Sequence, residues 1–212
     1  DAVQIAMIGA NARLVAFNAQ ATDVRTTRSI RSYCLGQYGA KPEDRVRQVA
    51  HTYITLLWRN TETNAPLSMG VCIYATGEEE QHKVLGRYIL RDVELTLGDH
   101  LETVDGVERP REWETFRQQL KEHAKVTGHD PLHTDAERYI QDALLALKGA
   151  NGFPNYDAFV RAFRFAVRMR FGGSPDEIIR NDVLETSPTN IRKVREITDS
   201  FQRLSALVVE VT

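Results

Sequence analysis

The stretch from Val49 to Leu97 restricts the fold of this chain most. In AHTYITLLWR, which ends at Arg59, Tyr53, Thr55 and Leu57 alternate with Ile54, Leu56 and Trp58, giving the period of two and the β-branched and aromatic content of a strand. Apolar residues on both faces predict burial on both sides. The polar turn NTETNAP, with Asn60, Asn64 and Pro66, leads into a second strand, LSMGVCIYAT, and GEEEQHK forms the next exposed turn. VLGRYILRDVELTL supplies one or two more strands between Val84 and Leu97. Strands in succession joined by short polar connections predict an antiparallel meander.

Helical periodicity follows. Pro110 stands at a predicted first helical position, and Trp113, Phe116, Leu120 and Ala124 share one face ending at Gly128. Thr134 and Glu137 have the spacing of a capping box ahead of Ile140, Ala143, Leu144 and Leu147. Tyr156, Phe159, Val160, Phe163 and Val167 mark a third helix, and Ser174-Pro175-Asp176-Glu177 opens a fourth. Ile197, Phe201, Leu204, Val208 and Val211 then recur at the alternating spacing of a coiled-coil seam, although an ordinary amphipathic helix has the same pattern over so short a run. Antiparallel strands followed by helices place the chain in the α+β class.

Ahead of the strands, Ala2 to Ile8 are apolar on nearly every side, which predicts a buried helix. Asp1 is either its N-cap or a residue with another role. The polar segment after Gly9 carries Arg25, Arg28 and Arg31 at every third position, with Ile30, Tyr33 and Leu35 as apolar anchors. A helical turn would put the arginines on one side, as a phosphate-binding group or as a solvated face paired with Asp23, Glu43 or Asp44.

The net charge of −2 excludes a polycation, so any nucleic-acid contact must come from a local patch. No apolar run reaches the roughly 18 residues of a membrane span and no signal peptide is evident, so a cytoplasmic protein without membrane contact is expected. Cys34 and Cys72 lack metal-site spacing and read as reduced thiols, with a single bridge as the alternative. His123, His129 and His133 with Asp130 form a weak metal pattern that Pro131 interrupts; no metal site is assigned.

The run DAVQIAMIGA resembles the segment after the phosphate-binding loop of SMC-type ATPases, in which Gly-Lys-Ser/Thr is followed shortly by Asp-Ala-hydrophobic. ARLVAFNAQA, RSIRSYCLGQ, the stretch Thr52 to Trp58, FVRAFRFAV and NDVLETSPTNI resemble the MukB- and JetC-like branch found in bacterial condensins and Wadjet plasmid-defence systems. The resemblance implies a P-loop, ABC-type head lobe over residues 1–189 and the start of a coiled-coil arm over 190–212. It implies an ATP-hydrolysing, DNA-associated motor, with Asp1, Arg13, Phe17 and Asn18 near the nucleotide and Arg25, Arg28 and Arg31 on the DNA backbone. Its implied partners are DNA, the C-terminal head lobe of the same protein, a kleisin-type subunit and a second copy in a homodimer.

The departures from that pattern are specific. The 212 residues contain no G-x-x-x-x-G-K-[ST] and no apolar strand ending in Asp-Glu. No magnesium-contacting glutamine is assigned; Gln118 and Gln119 sit on an amphipathic helix and are expected at its surface. ATP and Mg2+ are therefore expected to be held mainly by segments outside this chain, no catalytic residue lies within it, and the fragment alone is expected to be inactive. A competing reading is a non-enzymatic α+β interaction domain that pairs through its C-terminal helix.

Overall fold

Three long antiparallel strands organise the molecule: β1 (Val49–Arg59), β2 (Pro66–Thr76) and β3 (Lys83–Arg91). The structure, a computed structural model, describes residues 1–15, 17, 28–39, 41–147 and 155–168. All of these belong to one unit, Asp1–Arg170. The expected fourth helix, the seam from Ile197 to Val211 and the boundary at 189/190 lie outside the described residues.

The strands form the predicted meander, extended by a two-residue strand β6 (Leu132–His133) to the order β1-β2-β3-β6. Central β2 is buried along most of its length, as its nearly continuous apolar run requires. On one face, Ala50, Ile54, Val71, Ile73 and Ala75 meet two short helices, α1 (Ala2–Met7) and α2 (Ile30–Leu35). Farther along that face, Leu67, Met69 and Ile89 meet Tyr139, Ile140, Ala143 and Leu144 of α4 (Ala136–Ala146), and α5 (Tyr156–Arg168) adds Phe159 and Phe163. On the opposite face, Cys72, Tyr88 and Leu90 pack against Trp113, Phe116 and Leu120 of α3 (Trp113–Thr127). Cys34 and Cys72 thus sit on opposite faces of the sheet, both buried and both free.

A register shift at Cys72/Ile73 leaves Leu85 as an extra residue in β3. Leu85 consequently packs with the α3 side while neighbouring Val84 packs with α1 and α2. The indole of Trp113 occupies the space that a Cβ at Gly86 would need, so the sheet accepts this ring only because residue 86 has no side chain.

Several local expectations are corrected. Helix α1 buries one side only: Ile5 and Ala6 are fully enclosed, but Val3 is 60% exposed. Asp1 occupies the N-cap position without making a side-chain capping bond. Pro110 ends a strand rather than starting a helix, because residues 101–110 form a hairpin of β4 (Leu101–Val104) and β5 (Val107–Pro110). Its turn is Asp105-Gly106, both with positive φ, the pair that such two-residue turns favour. Helix α4 is capped by Asp135, whose carboxylate accepts from the Arg138 N–H at 2.9 Å, and not by Thr134.

Candidate functional site

The segment around α1 is held by two side chains. The Tyr139 hydroxyl donates to the Ala6 carbonyl at 2.9 Å, and Arg87 donates from Nε to the Gly9 carbonyl at 2.6 Å and from Nη1 to the Thr134 carbonyl at 2.7 Å. Gly9 and Ala10 both adopt positive φ, turning the chain away from the helix end. A Cβ on Gly9 would stand 2.7 Å from the Tyr139 ring, so close approach and backbone conformation both require glycine there.

Of the residues that the family resemblance singles out, Asp1 and Arg28 meet: Arg28 Nη1 donates to the Asp1 carboxylate at 3.3 Å, in a partly exposed ion pair. Arg13 is exposed. Phe17 is buried and stacks on Tyr33 with ring centroids 6.3 Å apart and planes 10° from parallel. Arg31 donates to the carbonyls of Thr76 and Gly77, each at 3.0 Å, and so fastens α2 to the end of β2. The N-cap of α2 is Ser29, so Arg28 precedes the helix and does not share a helical face with Arg31. Asn18 and Arg25 lie outside the described residues.

A second locus was not marked in the sequence. A cavity of about 940 Å³ lies beside β1, and its lining includes Tyr33, Arg47, Leu95, His100 and Arg109. On its wall, His100 Nδ1 lies 2.7 Å from the Thr96 carbonyl and must carry a proton to bond there. In the neutral ring Nε2 then accepts, from the Thr55 hydroxyl at 2.7 Å, while Thr55 accepts from the Tyr88 hydroxyl at 2.6 Å. Burial lowers the His100 pKa, which favours this neutral form. Burial likewise pushes the Cys72 thiol up to about 12 and the Tyr53 phenol above its ordinary range, so neither is primed to ionise.

The Tyr53 hydroxyl donates to the Arg111 carbonyl at 2.7 Å, fastening the hairpin's outgoing end over β1. Arg47 and Arg109 both line the cavity, and neither has a carboxylate within ion-pair distance among the described residues. His133 is engaged by the Asp142 carboxylate at 2.7 Å from Nε2 and lies 3.2 Å from the Pro131 carbonyl through Nδ1. Among the described residues no three His, Cys, Asp or Glu side chains gather as a metal site. No helix among them is long and apolar enough to cross a membrane.

No sequence signal identifies His100, since a lone histidine after a strand has many uses. The Asp-Gly turn at 105–106, by contrast, was a readable sign of the hairpin that closes the cavity. No family model matches this chain, and no characterised protein or solved structure matches it either.

Proposed function

We propose that this chain is part of the head of an SMC-like, ATP-hydrolysing, DNA-associated motor of the condensin or plasmid-defence type. The observation behind the proposal is the seating of α1: a short helix with Ile5 and Ala6 fully buried, closed by a buried Ile8 at its C-cap, docked on an antiparallel meander and followed by an arginine-bearing segment. That order of parts is the one the family resemblance implies. The residues present do not by themselves suit a nucleotide, since Asp1 brings a like charge toward phosphate and Arg28 is already paired with it. Phosphate and Mg2+ would be held by other segments, and no step of hydrolysis is assigned to this chain. The C-terminal head lobe, a kleisin-type subunit and a second copy are the partners this reading carries.

The DNA contact in this proposal falls to Arg25 and to Arg28, whose partly exposed surface pair with Asp1 would be exchanged for phosphate, because Arg31 is spent on the Thr76 and Gly77 carbonyls. Guanidinium groups meeting phosphate oxygens bind without reading sequence. The test is DNA affinity of the intact protein across a salt series, beside an Arg25→Ala/Arg28→Ala variant, with DNA-stimulated ATP hydrolysis measured in parallel. Each lost phosphate contact flattens the log–log salt slope by about 0.9, so the double variant should lose nearly two units. Parallel slopes would refute the DNA contact, and an intact protein that hydrolyses no ATP would refute the motor.

A further inference from the structure

Strand β1 stands at the edge of its sheet, with β2 as its hydrogen-bonded neighbour on one side. The bonds at its two ends fix which residues face the other way. Gly77 N–H donates to the Gln48 carbonyl and Asn60 N–H to the Ala65 carbonyl, so even-numbered positions share the hydrogen-bonded pairs with β2. Residues 49, 51, 53, 55, 57 and 59 therefore turn their N–H and carbonyl groups outward. Among the described residues no backbone or side-chain partner takes those groups. Val49, His51, Tyr53, Thr55 and Leu57 of this outward set also line the 940 Å³ cavity.

Natural edge strands are blunted by lysine, proline, bulges or shortness. Strand β1 has none of these: it is 11 residues long, contains neither Lys nor Pro, and keeps an unbroken register with β2, while the hairpin tied to it through Tyr53 takes none of its outward backbone groups. Its length is about 36 Å at roughly 3.3 Å per residue. Val49 and Leu57 on it are 54% and 41% exposed, and Leu97, which also lines the cavity, is 76% exposed. Charge at the site leans positive: Arg47 and Arg109 have no carboxylate within ion-pair distance among the described residues, although Glu102 stands across the hairpin from Arg109, and Glu112 is the acidic residue among the lining side chains.

We propose that the open edge of β1 and its flanking cavity form a docking site for an extended, acidic peptide segment of a partner protein, which adds as a strand antiparallel or parallel to β1. Backbone pairing supplies affinity, and Arg47 and Arg109 select carboxylates over cations. This inference is independent of the motor assignment.

The probe is a fluorescein-labelled nine-residue peptide alternating valine with glutamate, titrated with the 212-residue chain and followed by anisotropy, beside a valine–lysine counterpart. Saturable binding is expected, at least tenfold tighter for the glutamate peptide. Leu57→Pro removes one outward N–H while sparing the ladder to β2, and should weaken binding at least tenfold. An Arg47→Glu/Arg109→Glu variant should reverse the preference toward lysine. Two N-methylated glutamate peptides, blocked on alternate amides, test the unaltered protein: one should lose binding at least tenfold and the other keep it. Equal loss for both, equal affinity for the two charges, or no binding would overturn the proposal. So would sedimentation showing a dimer that Leu57→Pro dissociates, because the occupant would then be a second copy.

Discussion

Phe116 is the residue whose truncation should be felt most widely. It is fully buried, and its ring meets Tyr53 at 5.0 Å and 71°, Tyr88 at 5.4 Å and 74°, and His100 at 5.0 Å and 35°. Phe116→Ala removes the transfer energy of the ring and leaves a cavity, a loss of about 3–5 kcal/mol. The two edge-to-face contacts, at about 0.5–1.5 kcal/mol each, place the expected value in the upper part of that range. Phe116→Leu restores most of the volume but no ring, so it should lose only about 1–2 kcal/mol. In urea denaturation with a slope near ~2 kcal/mol/M, the alanine variant should unfold roughly 2 M earlier than the parent and the leucine variant roughly 0.5–1 M earlier. Coincident midpoints for the two variants, or a shift below about 0.5 M for alanine, would refute the claim that this ring holds α3 and the His100 wall to the sheet.

Two further outcomes are expected. His100 and His82 both have pKa values lowered chiefly by burial, so the unfolded chain takes up protons near pH 6.5 that the folded chain refuses. Stability should be fully present above that pH and should fall on acidification toward the folded values, by at most about 1.4 kcal/mol per pH unit for each proton; His100→Gln should flatten the fall in urea midpoint between pH 8 and 5, and an unchanged slope would count against the neutral His100 network. Arg31→Ala, which deletes two charge-assisted bonds to carbonyls, should cost about 1.5–3 kcal/mol by urea denaturation, whereas Arg28→Ala, breaking a surface ion pair, should cost less than about 1 kcal/mol; equal effects would contradict the different duties assigned to the two arginines.

The meander was legible because its strands announce themselves twice, through alternation at Tyr53–Trp58 and through polar turns at Asn60–Pro66 and Gly77–His82. The face of α3 was legible for a similar reason, since Trp113, Phe116 and Leu120 fall on one side at helical spacing. The hairpin at 101–110 escaped because its strands are short and largely exposed, so no apolar period marks them. Pro110 then read as a helix start when it is a strand end. The bonds of Arg31 escape a sequence reading through range: it bonds to carbonyls 45 and 46 residues away, a pairing that no local spacing encodes. The cavity wall has the same character, because Thr55, Tyr88 and His100 come together only after three separate elements have packed.

The hydroxyl of Tyr139 reaches back 133 residues to the carbonyl of Ala6. A ribosome adding about 5–20 residues each second takes roughly 7–27 s to synthesise that interval. Strands β1 to β3 emerge first and offer α1 one of its supports, but Ile8 keeps an uncovered side until α4 follows. The Arg87 bond to Gly9 also precedes its bond to Thr134, which lies 47 residues farther on. Helix α1 is thus made before α4 and finished after it. Its surroundings close only when the α4 side chains Tyr139 and Ile140 reach Ala6 and Ile8.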